Sequence, residues 1–284
     1  MDATGPNAEQ ITYWNEKSGP KWVAEQAALD AMIAPFGAQA MAALAPRAGE
    51  HIVDVGCGCG ETALELGRRV TARGGVLGVD ISEPMLARAG ERAAAEGLQH
   101  VRFVTADAQT HHFAADATDA VFSRFGVMFF ADPSAAFENL RSTLRADGRL
   151  AFACWQPVTE NPWMLTPLMA VAGIVPLPPP PPPDAPGPFS FGDRDRVADI
   201  LGRAGFRDVS FDAFTPELVV AGGGDLERTV RFIMQLGPLG AILGEAGAET
   251  LERVTGAVRN AITPFETARG VAMPSAAWIV TARR

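Results

Sequence analysis

With 284 residues, 48% of them hydrophobic, the chain can bury a full core as one large domain or two modest ones. Its 24 Lys and Arg against 33 Asp and Glu give a formal net charge of -9, which opposes nonspecific binding to nucleic acid or to an anionic membrane. Three cysteines exclude a disulfide framework and fit a reducing cytoplasm, and the start Met1-Asp2-Ala3-Thr4 offers no basic leader, with no apolar run approaching the length of a membrane span.

In chain order, residues 13–36 read as a broken helix followed by an amphipathic one. Trp14 and Trp22 are either core anchors or part of a lid over the glycine turn at 56–60. That turn belongs to the stretch HIVDVGCGCGE, residues 51–61, in which Ile52, Val53 and Val55 predict a buried parallel strand. Gly56, Gly58 and Gly60 let the backbone turn tightly beside a ligand, and a helix begins at Glu61. Strand and helix then alternate, with strands at 75–80, 100–105, 118–123 and 148–155 and helices at 61–72, 83–96 and 133–145, which predicts a parallel sheet with helices on both faces. Asp132-Pro133 and Ser82-Glu83-Pro84 read as helix starts, each with a capping side chain and an early proline.

After Trp155 the regularity stops. Residues 161–174 read as a short apolar helix, and the six prolines Pro178 to Pro183 read as a stiff surface spacer rather than a partner-binding ligand. A helix at 193–205 and a half-buried strand at 206–214 come next, then a glycine hinge or turn at 222–224, helices at 226–236 and 248–262, and a last strand at 276–282.

The glycine turn alone fits several nucleotide-binding folds. A dinucleotide fingerprint needs a glycine at position 61, where a carboxylate, Glu61, would compete with a pyrophosphate for the helix N-terminus; no Gly-Lys-Ser/Thr comes after it to make a P-loop. A nucleoside without phosphate remains. Asp80 ends the second strand, where it can accept from both ribose hydroxyls; its alternative role as a helix cap is already offered by Ser82. Asp107 comes directly after the third strand and either reads an adenine edge together with the Ala108 backbone or simply forms a turn.

Together these residues resemble the class I S-adenosylmethionine-dependent methyltransferases, particularly the small-molecule group that includes ubiquinone and menaquinone C-methyltransferases. The likeness runs through DVGCGCGE (54–61), GVLGVDISEPML (75–86), VTADAQ (104–109), DAVFSRFGVMFFADP (119–133) and LRADGRLAFACW (144–155), departing at Cys59, where the family usually has threonine, serine or proline. The resemblance implies an α/β, Rossmann-like seven-stranded sheet, mostly parallel with the last strand antiparallel, carrying helical lid insertions. It divides the chain into a lid at 1–48, a cofactor-binding core at 49–155, a proline-rich insertion at 156–192, more core at 193–221, a helical insertion at 222–269 and a final core strand at 270–284.

It also implies S-adenosylmethionine as cofactor. Gly56, Gly58 and Gly60 would pass under the methionine part, Asp54 would support the turn and Cys57 line it. Asp80 would take the ribose, Ile81 and Met85 flank the adenine, Asp107 and Ala108 hold its edge, and Ser123 and Arg124 face the methionine moiety and the acceptor. The acceptor is expected to be a small, partly hydrophobic molecule enclosed by Tyr13, Trp14, Trp22, Trp155, Trp163, Met164 and Phe232. No metal is expected, because Cys57 and Cys59 have no further ligand cluster beside them.

A sulfonium brings its own leaving group, so no catalytic triad is required, and His111, His112, Glu138 and Arg124 are polar candidates without an assigned role as base. Ser123-Arg124-Phe125-Gly126 stands where base-amine methyltransferases carry Asn/Asp-Pro-Pro-Tyr, which argues against nucleic acid as substrate. Two further readings stay open: a protein that binds S-adenosylmethionine or S-adenosylhomocysteine without methyl transfer, and a nicotinamide-dinucleotide oxidoreductase.

Overall fold

Ile52, Val53 and Val55 do form the central strand β1 (His51–Val55), buried on both faces as such an apolar run requires. It is described here from a computed structural model covering residues 3–182, 184–235, 237–243 and 246–284. The other strands are β2 (Gly75–Asp80), β3 (Val101–Thr105), β4 (Thr118–Arg124), β5 (Leu144–Trp155), β6 (Arg207–Phe214), β7 (Glu217–Val219), β8 (Glu266–Thr267), β9 (Gly270–Pro274) and β10 (Ala277–Arg283). Seven of them make one sheet in the order β3-β2-β1-β4-β5-β10-β6, with β10 antiparallel to both of its neighbours. The strand order reverses beside β1, so a crevice opens at the carboxyl ends of β1 and β4, where open α/β sheets bind ligands.

The helices are α1 (Ala8–Thr12), α2 (Ser18–Ala24), α3 (Gln26–Leu44), α4 (Glu61–Val70), α5 (Glu83–Ala95), α6 (Pro133–Thr143), α7 (Pro162–Ala170), α8 (Arg194–Arg203), α9 (Leu226–Gln235), α10 (Gly237–Ile242) and α11 (Ala248–Ile262). Asp132 caps α6 as expected, its carboxylate accepting from Ala135 N at 3.0 Å ahead of Pro133. The expected Ser82 cap of α5 is absent. The Ser82 hydroxyl donates to the Trp14 carbonyl at 2.8 Å, and Asn15 Oδ1 accepts from Glu83 N at 2.9 Å in its place.

The N-terminal segment departs most from expectation. Tyr13–Lys17 is a π-helical turn, and α3 runs on to Leu44 through Pro35. Its buried residues recur as Ala28-Leu29, Met32-Ile33, Phe36-Gly37 and Ala40-Met41, a stripe that packs on β4, β5 and β10. The opposite face is largely alanine, so α3 is two-sided in burial but not in polarity, contrary to the amphipathic helix expected. The lid assigned to 1–48 is therefore cut back, because α3 belongs to the core. By length and composition α3 is also apolar enough to cross a membrane, with a mean hydropathy of 1.3 over an 18-residue window, half of which is buried inside the protein. That corrects the expectation that no segment reaches this length.

Two smaller corrections concern the C-terminal half. Residues 270–284 are not one core strand. β9 leaves the main sheet and pairs with β7 and β8 in a second, three-stranded sheet; Pro274, which has no N–H to donate, and Ser275, whose hydroxyl donates to Pro216 O at 2.6 Å, mark the switch to β10. α7 ends at Ala170 rather than near 174, and no regular helix or strand occupies the described part of 171–192. Pro183 of the proline run and Leu236 of the expected 226–236 helix lie outside the described residues.

Candidate active site

At the end of β1 the chain turns through Gly56 and Gly58, with φ of 66° and 54°. A Cβ on Gly56 would stand 2.6 Å from Gly126 Cα, backbone against backbone, and one on Gly58 would stand 2.8 Å from Met85 Cε. At Gly56 the left-handed conformation and the space both call for glycine, and at Gly58 the conformation does, since the Met85 tip can move. Gly60 packs instead on α5, where its Cβ would meet that of Ala89 at 2.8 Å, so it shapes the turn from outside the ligand space.

Asp80 sits across from this turn. Its Oδ2 accepts from Gly58 N at 2.8 Å and its Oδ1 from Ser82 N at 2.9 Å, which holds the carboxylate at the cavity wall with lone pairs to spare. Loss of water around it raises its pKa above the ordinary range. Asp54 is fully buried beneath the turn. Its Oδ2 accepts from Thr62 Oγ1 at 2.7 Å, tying β1 to the first turn of α4, while Oδ1 has no hydrogen-bond partner among the described residues. Burial pushes its pKa up to about 7.

Further along the sheet, Asp107 Oδ1 accepts from Gln109 N at 2.9 Å, and its Oδ2 accepts from Asn7 Nδ2 at 2.8 Å. Arg124, at the end of β4, ion-pairs with Glu61 and lies 3.8 Å from Asp30, which in turn meets Arg92 at 3.0 Å. This chain of alternating charges backs the glycine turn, since Arg92 also donates to Cys59 O at 2.7 Å. Desolvation pushes the Cys57 thiol well up and that of Cys59 to about 12, so both remain uncharged cavity wall.

These groups open into one cavity of about 420 Å³. Gly56, Cys57, Gly58, Asp80, Ile81, Met85, Asp107, Ala108 and Arg124 all line it, as do Tyr13, Trp14, Trp22, Trp155, Trp163, Met164 and Phe232. Asp54, Gly60 and Ser123 do not. For Ser123 this corrects the expectation that it faces a ligand. Its hydroxyl is fully buried, donating to Val55 O at 2.7 Å and accepting from Gly126 N at 3.2 Å, which draws the β4 turn against the β1 turn. His111, His112 and Glu138 also lie off the cavity; the His111 ring packs edge-on against Phe113 with centroids 4.7 Å apart.

The rest of the wall is aromatic. Phe125 takes a φ of 62°, a strained conformation for a residue with a side chain, and its ring lies parallel to Trp155 at 4.0 Å. Trp163 continues the wall 5.2 Å from Trp155, oriented by its Nε1 donating to Asn161 Oδ1 at 3.1 Å. Opposite, Trp14 makes edge contacts with Tyr13, Trp22 and Phe129 at 5.4–5.5 Å. Asn15 pins this N-terminal cover to the β2 loop, its Nδ2 donating to Ile81 O at 2.9 Å.

Sequence reasoning missed Asn7, Asp30 and Phe125. Asp30 carried a signal, a lone acid on an apolar helix face. Phe125 lay within a quoted motif without a role, and Asn7 had no local mark.

A family model described as a methyltransferase domain matches residues 52–148. Residues 52–148 belong to the class I S-adenosylmethionine-dependent methyltransferases. Beyond this methyltransferase domain, nocamycin O-methyltransferase of Saccharothrix syringae is 32% identical over 172 residues, 58% of this chain and 61% of that protein. Demethylmenaquinone methyltransferase of Thermus thermophilus is 40% identical over 111 residues, 39% of this chain and 50% of that protein. The chain thus spans half to about three fifths of the length of these two relatives. In fold, the YcgJ protein of Bacillus subtilis superposes with a TM-score of 0.56 at 16% identity, covering 87% of this chain and 97% of that one.

The methyltransferase domain fits the family's methyl donor. Gly56 and Gly58 present main chain to the cavity, with Gly56 packed backbone to backbone on Gly126, and two carboxylates stand at successive strand ends with lone pairs open to the cavity. The cavity volume lies within the range of about 300–1,000 Å³ usual for small-molecule and cofactor pockets.

Proposed function

We propose that the chain transfers a methyl group from S-adenosylmethionine to a small, partly hydrophobic acceptor. The observation that carries this reading is the continuity of one cavity across two unlike walls, strand-end carboxylates and glycine backbone on one side, tryptophans and methionines on the other. The two relatives named above, for nocamycin and demethylmenaquinone, agree with an acceptor of that kind.

The donor's sulfonium supplies an electrophilic methyl group with a leaving group attached, open to in-line displacement. The chain's residues bind, orient and exclude water. In this reading Asp80 accepts from the ribose hydroxyls, Asp107 accepts from the adenine amine beside the Ala108 backbone, and Ile81 and Met85 sandwich the base. Gly56 and Gly58 let the amino-acid part lie against main chain, with Arg124 and its acidic partners at that end. The Phe125–Trp155 stack, Trp163 and Met164 then hold the acceptor in a dry, flat-sided space. Buried free thiols at Cys57, Cys59 and Cys154 agree with a reducing compartment such as the cytoplasm.

Calorimetry with S-adenosylmethionine and S-adenosylhomocysteine tests the donor side, and absence of binding to both would sink the proposal. Mass spectrometry of a panel of apolar phenols, enols, amines and thiols incubated with the donor tests the acceptor side. Donor binding with no methylated product across the panel would favour a binding protein instead.

A further inference from the structure

Asn7 lies outside the methyltransferase domain matched at 52–148, at the cap position of α1, where an asparagine side chain normally accepts from the helix's own first N–H groups. Here it makes no such bond. The side chain turns inward instead and is only 3% exposed. Its Nδ2 donates to Asp107 Oδ2 at 2.8 Å and to Gln109 Oε1 at 3.1 Å, while its Oδ1 accepts from Ala131 N at 2.8 Å. Gln109 Oε1 in turn accepts from Asp132 N at 3.1 Å. Both amide protons and the carbonyl oxygen of Asn7 are thereby hydrogen-bonded. The segment also lines the cavity at Asn7 itself, beside Asp107 and Ala108.

A five-residue helix gives up its cap for this arrangement, and a buried amide of this kind rigidifies whatever it bridges once fully satisfied. What it bridges is the loop after β3 and the loop before α6, the two backbones that bound the base end of the cavity. From this we infer that Asn7 is a positioning residue for base selection: it clamps Asp107 so that the carboxylate's free lone pairs face the exocyclic amine of an adenine and reject a base that presents a carbonyl there. The inference rests on the reading of Asp107 given under the proposed function. It makes the N-terminal segment part of the donor site, not only a cover for the acceptor.

The mechanism by which Asn7 acts is geometric. With the amide in place, Asp107 is held from both oxygens, by Asn7 on one and Gln109 N on the other. Without it, one oxygen loses its anchor and the carboxylate is free to rotate or hydrate, so it accepts less well from an amine and repels a carbonyl less strictly.

The test is calorimetry on the full chain with S-adenosylhomocysteine and with S-inosylhomocysteine, which carries a carbonyl where adenine has its amine. Wild type is expected to prefer the adenosyl ligand by about tenfold or more, one lost charge-assisted hydrogen bond. Asn7→Ala is expected to lose most of that preference by weakening the adenosyl ligand alone. Asn7→Asp, which keeps the size and the acceptor toward Ala131 N but turns an acceptor toward Asp107, is expected to do the same, and serves if the alanine variant does not fold. Asn15→Ala loosens the same segment at Ile81 and Glu83 without touching Asp107, and is expected to weaken both ligands equally with the preference kept.

Equal weakening of both ligands in the Asn7 variants would reduce Asn7 to a latch and overturn the inference, as would an unchanged preference. Wild type that binds adenosyl and inosyl ligands alike would overturn the reading of Asp107 and this inference with it, while leaving the donor site standing. Wild type that binds neither would overturn the donor site itself.

Discussion

The two halves of the cavity are built by different means. In the proposed reading, the donor half is made of main chain and short acids at the ends of β1, β2 and β3, whose placement follows strand geometry. The proposed acceptor half is made of large side chains delivered from the N-terminal segment, β5, the 156–192 insertion and α9, and their positions depend on how those elements pack. One half is held by hydrogen bonds of 2.8–2.9 Å to Asp80 and Asp107, the other by ring contacts such as the Phe125–Trp155 stack at 4.0 Å. The contrast teaches that affinity for the donor should respond to single atoms, whereas acceptor choice should respond to volume and shape.

Substitutions can break that contrast in order of size. The largest effect is expected for Gly56→Ala. The strained φ and the 2.6 Å approach to Gly126 Cα each contribute, for a total of roughly 2–6 kcal/mol, read as a lowered urea midpoint and lost donor binding together.

Next is the pH dependence set by Asp54. Its folded pKa of about 7 lies above the ordinary value of 3.8, so the unfolded state loses its proton first as pH rises. The stability gained by keeping the proton is full below about pH 4 and is lost progressively up to about pH 7, an effect on the order of a few kcal/mol. Asp80, also raised, contributes in the same direction. Chemical denaturation from pH 4 to pH 8 is expected to show this fall, and Asp54→Asn should flatten it. An equally steep fall in the variant would place the titration elsewhere.

Asp80→Ala is expected to weaken S-adenosylhomocysteine binding by roughly 1–3 kcal/mol, since a hydroxyl pair and Gly58 N lose their acceptor. Unchanged affinity in calorimetry would mean that the ribose lies elsewhere. The smallest effect sharpens the contrast from the other side. Trp163→Ala is expected to raise the acceptor KM by about tenfold while leaving donor affinity as it was, because the indole packs at a tilt against Trp155 in the aromatic wall. A parallel loss of donor affinity would show that the two halves are not separable.

The same contrast explains which features a sequence of this kind discloses. Asp80 and Asp107 are legible because a parallel strand ending in an acid has one geometry, and the seven-stranded sheet comes from regular alternation. Asn7 is not legible, since its partner lies 100 residues away and nothing near it calls for a buried amide. α3 misleads because alanine covers its outer face and hides which side is buried. β7 and β8 have three and two residues, too short to show alternation, and they exist only because β9 lies between them. Ser123 looks like a ligand-facing residue by its place after β4, yet a hydroxyl can satisfy a neighbouring carbonyl as readily as a ligand.

The position of β10 between β5 and β6 bears on how the protein is made. β6 leaves the ribosome before β10, yet in the finished sheet β10 is its neighbour, and β5 must keep that same edge unpaired meanwhile. At ~5–20 residues per second the intervening segment takes several seconds to synthesise. During that interval the edges of β5 and β6 that β10 will join have no partner strand, while β7 to β9 and the helices α9 to α11 are made in between.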